Sequence, residues 1–290
     1  MNGHRWIVMG ALLAWAPGCG ASSESGGAAR EPAPVPEKTA AQDPPPAKPE
    51  PEPAQTAAPT PSAEAKAEPP PAPKSPCPAN MAFIKGGAYK MGFLKNEATV
   101  GDFCLDTTEV TAKDYAACVD AKKCNENFVN CAPESTYKKE GKEDHPMVCV
   151  DFQQAIDYCA AQGKRLPTDE EWEWAARGGP EGRLFPWGND EPKDQLCWSG
   201  KGARKGTCSV KEHPGGASAQ GLLGLAGNVF EWTTNRLDSR GKDRVGRGGS
   251  WRDGLPNMMR NDRPGKFEVT YRCGFLGIRC AAAPSAEGAK

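Results

Sequence analysis

The sequence predicts an α+β domain with much irregular loop structure, carried behind a disordered Pro/Ala/Glu-rich segment. Three observations support this. An alternating apolar and small-residue stretch opens the domain at residues 81–93. Helix signals with N-terminal caps then fall together in the first half. Beyond Gly179 the chain turns rich in Gly, Pro, Trp and Asn with few periodic runs, the signature of long ordered loops and short strands.

Met81 to Phe93 alternates around Gly86-Gly87, which reads as an opening hairpin turning at the two glycines. Thr111, followed three residues on by Asp114, caps a first helix whose inner face carries Tyr115, Cys118 and Val119. Asp151 and Gln154 form the reciprocal pair of a second helix. Phe152, Ala155, Ile156 and Cys159 follow at the i, i+3, i+4, i+7 spacing of a buried stripe, and Gly163 ends it. Thr168 to Glu171 is a capping box for a short third helix, closed at Gly178-Gly179.

The ends of the chain are of a different kind. Residues 1–19 have the anatomy of a secretory signal, with His4 and Arg5 preceding about eleven apolar residues, too few to span a bilayer. Cys19 stands where lipid modification would follow processing; an ordinary signal cut near Ala21 is the alternative. Residues 20–76 hold no aromatic residue and Val35 as their only large aliphatic, so they cannot bury enough apolar surface to offset ordering entropy. In extended polyproline form this linker reaches on the order of 100–170 Å, which suits a domain held off a membrane. The globular domain is placed at 77–283 and a flexible tail at 284–290. The expectation is an exported, membrane-anchored lipoprotein facing the periplasm or cell surface, touching the membrane only through its anchor.

The formal net charge of −1 supplies no concentrated basic surface, so nucleic acid is not an expected partner. Twelve cysteines in an exported chain read as a disulfide framework. Setting Cys19 aside leaves eleven, an odd set that implies at least one free thiol or an unusual pairing. Cys197 and Cys208 read as closing a local loop, while the connectivity of Cys118, Cys124, Cys131 and Cys149 stays open. No cysteine spacing is CxxC, and the histidines of the domain, His145 and His213, lie far apart in sequence, so a zinc site is not expected.

The segments Gly163 to Thr168, Gly227 to Trp232, Arg247 to Trp251 and Gly277 to Cys280, with Tyr115, His145-Pro146 and Phe185 to Gly188, resemble the formylglycine-generating enzyme / sulfatase-modifying-factor family. Order and spacing match over roughly residues 76–283. The resemblance implies a C-type-lectin-like topology and a disulfide between Cys159 and Cys280. It also implies a copper-dependent oxidase that converts a sulfatase cysteine to formylglycine with two cysteines shortly after the Gly248-Gly249-Ser250 segment. The matching positions here are Asp253 and Met258. A carboxylate is a hard ligand and a thioether neither ionises nor forms a disulfide, so catalysis and copper binding are not expected. Cys273 is too remote in sequence to stand in.

The resemblance further implies calcium held by the Glu231 carboxylate with the carbonyls of Gly227 and Val229. Gly224 replaces the usual Asp or Asn of that loop, and Leu196-Cys197 the Asn of a second one. The alternative for Glu231 is a structural acceptor. Arg247, Arg252, Arg260, Arg263 and Arg279 suit anions, yet Glu171, Glu173, Asp253 and Asp262 are available as internal partners. Trp198 and Trp251 are candidates for bordering a groove. The functional expectation is a non-catalytic domain that binds an envelope protein, peptide or glycan. Its rivals are the formylglycine-generating oxidase, which lacks its thiol pair here, and a sugar-binding lectin-like module, for which no EPN or QPD triplet is present.

Overall fold

The computed structural model describes residues 75–93, 95–236 and 241–285. The expected signal segment with Cys19, the linker up to residue 74, and residues 286–290 of the tail lie outside the described residues.

Four short strands open the domain: β1 (Met81–Ile84), β2 (Gly87–Lys90), β3 (Glu97–Val100) and β4 (Phe103–Asp106). The expected turn at Gly86-Gly87 is corrected here. β1 pairs with β4 and β2 with β3, and Met81↔Asp106, Ile84↔Phe103, Gly87↔Val100 and Lys90↔Glu97 share one register. The four strands are one long interrupted hairpin whose turn lies between Met91 and Asn96, closed by the Met91 N–H donating to the Asn96 carbonyl at 2.9 Å. Gly86 serves close approach instead of turning, because a Cβ there would lie 2.3 Å from the Val100 carbonyl oxygen.

The three helices follow their caps. α1 (Ala112–Asp120) starts at Thr111, whose side chain accepts from the Asp114 N–H. α2 (Phe152–Ala161) and α3 (Asp169–Ala176) each begin with a complete capping box, Asp151 with Gln154 and Thr168 with Glu171. Gly163, at φ +69°, ends α2 in the left-handed region. The inner face of α2 is shifted from the expected stripe: Gln154 and Tyr158 are buried, and Ile156 is only partly so. Gln154 can be buried because its amide is satisfied on both sides, accepting from the Asp151 N–H and donating to Asn125 Oδ1 and the Asn127 carbonyl. Tyr115 of α1 stacks on Tyr158 of α2 with centroids 5.5 Å apart.

The second half supplies β5 (Phe230–Arg236), β6 (Asp243–Arg247), β7 (Gly265–Glu268), β8 (Leu276–Gly277) and β9 (Ala281–Ala282). They form a four-stranded sheet ordered β7-β6-β5-β8, in which β5 and β8 run parallel. β9 joins β4, so the last strand returns to the first sheet. The two largest apolar clusters flank the sheets. One gathers α1, α2, Trp232, Trp251 and the segment from Cys273 to Cys280. The other packs Trp172 and Trp174 of α3 against Ile84, Phe103, Leu105, Leu222 and Leu225.

Five disulfides tie the loops: Cys77–Cys104, Cys118–Cys124, Cys131–Cys149, Cys159–Cys280 and Cys197–Cys208. Cys273, buried, lies outside all five. Such density belongs to an extracellular or otherwise oxidising location. Among the described residues no helix is long and apolar enough to cross a membrane.

Candidate functional site

The sequence motifs are brought together as a set of buried ion pairs and capped turns. Arg247, on β6, is fully buried and grips α3 through Asp169, with Nη2 to Oδ2 at 2.8 Å and Nε to Oδ1 as the second arm. Its Nη1 donates to the Asn261 carbonyl at 3.0 Å. Arg279, equally buried, binds Glu231 of β5, with Nη2 to Oε1 at 2.7 Å and Nε to Oε2 at 2.9 Å. Its remaining donors reach the carbonyls of Asp106 and Leu223. Arg165 forks onto Glu171 with two bonds of 2.6 Å. Arg247 and Arg279 act as internal struts across loops, the role that satisfies buried carbonyls and carboxylates together, whereas Arg165 makes its fork from the surface.

Asn228 holds the turn before β5 in the left-handed region at φ 55°. Its Oδ1 accepts from the Cys208 N–H at 2.9 Å, its carbonyl from the Trp251 N–H at 2.8 Å, and its Nδ2 donates to Glu109 Oε1 at 2.9 Å. One residue therefore joins the loop of Cys197 and Cys208, the segment after Arg247 and the strand-to-helix connection at Glu109, the first and last through its side chain and the second through its carbonyl.

The positions matching the family's cysteine pair sit just beyond that junction. Asp253 closes the turn after Ser250: its Oδ2 accepts from the Ser250 N–H at 2.9 Å and from Ser250 Oγ at 2.8 Å. Its own carbonyl accepts from the Ser199 N–H at 2.9 Å. Burial raises the Asp253 carboxyl above its ordinary value, against the pull of the two Ser250 hydrogen bonds. Met258 lies in a single 3₁₀ turn (Pro256–Met259) and packs against the cluster of Phe185, Leu196, Trp198, Ala226 and Met259. Neither side chain supplies a soft anionic ligand, so the pair does not fit copper(I).

The residues at Glu231 do not fit a calcium ion either. Both Glu231 oxygens already accept from Arg279, and Oε2 also accepts from Trp172 Nε1 at 2.6 Å. A guanidinium thus neutralises the carboxylate that was to hold the ion beside the carbonyls of Gly227 and Val229. The loop's unsatisfied oxygen belongs to Glu109, whose Oε2 is buried without a hydrogen-bond partner. The carboxylate of Glu109 lies 2.3–2.4 Å from where a Cβ on Gly224 would stand, filling the space left by the Asp or Asn expected there. Burial raises the Glu109 carboxyl to about 7, with Glu231 adding to the rise and Arg279 opposing it. No sequence signal marked Glu109, because its acid is conspicuous only once the loops close over it.

The tryptophans expected to border a groove are interior instead. Trp198 donates to the Lys193 carbonyl and Trp251 to the Gly274 carbonyl, and both are buried. An indole satisfied by backbone in this way cements loops and presents no face to a sugar.

Comparison with known proteins gives the family. The model for the sulfatase-modifying factor enzyme 1-like domain (FGE-sulfatase) matches residues 65–284. The chain is 31% identical over 267 residues to a Mus musculus protein named inactive C-alpha-formylglycine-generating enzyme 2, covering 70% of this chain and 85% of that one. It is 38% identical over 159 residues to the Bos taurus protein of the same name, covering 49% and 51%. It is 35% identical over 169 residues to the Mus musculus formylglycine-generating enzyme, covering 49% and 45%. The chain thus spans about half the length of the latter two. Among solved structures, PvdO from Pseudomonas aeruginosa matches with a TM-score of 0.59 at 21% identity, over 75% of this chain and 100% of that one. Treponema denticola variable protein 1 matches with a TM-score of 0.56 at 23% identity, over 70% and 95%. These neighbours bear out the C-type-lectin-like fold. The chain belongs to the sulfatase-modifying factor enzyme 1-like family.

Proposed function

We propose that this protein is a non-catalytic member of its family, exported and lipid-anchored through Cys19, whose domain binds an envelope protein, peptide or glycan. The carrying observation is Asp253. At a position that should offer a thiolate, its carboxylate is consumed by two hydrogen bonds that hold the Ser250 turn. Thiol oxidation of a substrate cysteine needs a nucleophilic sulfur poised beside a metal or a second sulfur. Cys273 is buried within the cluster containing Trp251 and Phe275, and the other ten described cysteines are in disulfides. Relatives named as inactive formylglycine-generating enzymes support the same reading. The Pro-rich segment between Cys19 and the domain suits a tether that carries a binding module clear of a lipid surface.

The test has two arms. The purified domain, with copper(I), oxygen and a thiol reductant, is incubated with a cysteine-containing sulfatase peptide, and mass spectrometry follows the peptide. No formylglycine is expected. Time-dependent conversion that is lost on heat denaturation overturns the non-catalytic reading. Separately, wild type should fractionate with membranes and Cys19→Ser with the soluble envelope extract. Equal distribution of the two overturns the anchor.

A further inference from the structure

The fold assembles three metal-ligating side chains that the sequence keeps apart. Cys197 Sγ, Cys208 Sγ and a ring nitrogen of His213 lie within 4.8 Å of one another. Cys197 and Cys208 are bonded as a disulfide, so their sulfurs are not ligands as they stand. We propose that this cluster is a redox-gated metal site: a dithiol reductant opens the Cys197–Cys208 bond, and the two thiolates with His213 Nε2 then bind a zinc-like divalent cation.

His213 is set up for the task. Its Nδ1 lies 2.9 Å from the Asp194 carbonyl. A carbonyl can only accept, so Nδ1 carries the proton and Nε2 holds the lone pair. That Nε2 is buried with no hydrogen-bond partner; the nearest acid, Glu212, is 3.6 Å away, too far to bond. A ring fixed by Nδ1–H to a backbone carbonyl, with Nε2 left for a metal, is the usual arrangement behind a ligating histidine. A purely structural histidine at this place would be expected to use both nitrogens or to turn the second one to water.

Cys208 is set up as the sulfur that leaves. Arg204 Nη2 donates to its Sγ at 2.7 Å. A guanidinium there stabilises a thiolate, which favours cleavage of the disulfide with Cys208 as the leaving sulfur. The step balances simply. The dithiol gives two electrons and two protons to the disulfide and becomes a disulfide itself, and the cation then displaces the two protons from the thiols.

Reduction need not dissolve the site, because each cysteine has a backbone anchor independent of the bond. The Cys208 N–H donates to Asn228 Oδ1 at 2.9 Å, and the Cys197 carbonyl accepts from the Asn228 N–H at 2.7 Å. A tetrahedral cation with sulfur at about 2.3 Å and nitrogen at about 2.0 Å sets its ligand atoms on the order of 3.5–3.8 Å apart. That fits within the present cluster after small side-chain rotations. A cavity of about 20 Å³, lined by Cys197, His213 and Asn228 among others, has room for one water as the fourth ligand.

The experiment uses the full chain, oxidised or reduced with a water-soluble phosphine, and cobalt(II) as the probe. Peptide mapping with alkylation reports which cysteines have opened. The oxidised protein is expected to bind no cobalt. The reduced protein should bind one equivalent with thiolate-to-cobalt charge transfer, displaced by zinc. His213→Gln, which leaves every disulfide intact for folding, should weaken that affinity at least about tenfold, the scale on which even outer partners of a ligand act. The double variant Cys197→Ser with Cys208→Ser should lose the charge-transfer band. The proposal is overturned if Cys197 and Cys208 stay bonded under the phosphine, or if the reduced protein takes no cobalt. It is equally overturned if His213→Gln binds as wild type does, since other thiols are then the ligands.

Discussion

Glu231 and Arg279 form a fully buried ion pair in which both carboxylate oxygens and two guanidinium nitrogens are engaged, 48 residues apart in sequence. The pair ties β5 to the segment between β8 and β9, and Trp172 ties it to α3. Its donors and acceptors are matched almost completely, and that is the condition under which a buried pair is tolerable at all. Glu231→Gln leaves a buried guanidinium without its counter-charge and is expected to cost about 3–5 kcal/mol in chemical denaturation. Arg279→Lys should cost nearly as much, because an ammonium cannot reproduce the fork. Because Arg279 already occupies the cationic place, added calcium should leave the melting temperature of the wild type unchanged. A calcium-dependent rise abolished by Glu231→Gln would contradict this geometry.

The five disulfides should differ in worth by loop length. Cys159–Cys280 closes 121 residues and Cys118–Cys124 only 6. On the chain-entropy model the first contributes about 5 kcal/mol and the second about 2 kcal/mol. Paired Ser substitutions, compared by denaturant midpoint, should show the larger loss for Cys159 with Cys280. Equal losses would mean that chain entropy does not set the worth of these two bridges.

Much of the first half was legible because its signals are local. A cap and its partner sit three residues apart, so Thr111, Asp151 and Thr168 could be read as helix starts without knowledge of the rest. The hairpin misreading has the opposite cause. Gly86 is glycine because the chain opposite, at Val100, comes too close for a Cβ, and no nearby residue records that. Family resemblance carried the Cys159–Cys280 pairing, which residue spacing alone could not. The site beside the Asn228 turn stayed hidden for the same reason as Gly86. Glu109 is 119 residues from Asn228, and His213 reads as an isolated histidine until the disulfide loop folds against it.

Glu109 gives the domain a pH-dependent component of stability. Burial lifts its carboxyl from an ordinary 4.5 to about 7, with Glu231 adding to the rise and Arg279 partly opposing it. Between those values the folded protein holds a proton that the unfolded chain has released, so the Glu109 contribution falls as pH rises from about 4.5 through 7 and is level above that. Glu109→Gln keeps an acceptor for Asn228 Nδ2 and cannot ionise. The variant should therefore gain on wild type with rising pH, most of all above pH 7. Thermal melts of both proteins at several pH values check this, and parallel curves would show that Glu109 is not the titrating group.

Asp253 should behave as a structural cap at the position where the family keeps chemistry. Its Oδ2 receives the Ser250 N–H and Oγ, and its own N–H donates back to the Ser250 carbonyl at 3.1 Å, so residues 250–253 form a turn closed from both sides. Losing a carboxylate that accepts a backbone N–H in such a turn typically costs about 1–2 kcal/mol. Asp253→Ala is expected to fall in that range, and Ser250→Ala to cost less, since the backbone N–H still reaches the acid. In the double variant the two losses should not add, because the hydroxyl and the carboxylate share one bond, and the shortfall measures it. Asp253→Cys with Met258→Cys restores the family's thiols but removes the same cap. It should therefore lose stability comparable to Asp253→Ala, whether or not copper(I) is added. Additive single losses, or an Asp253→Ala variant as stable as wild type, would show that the acid is not holding the turn. The carboxylate would then be available for another role.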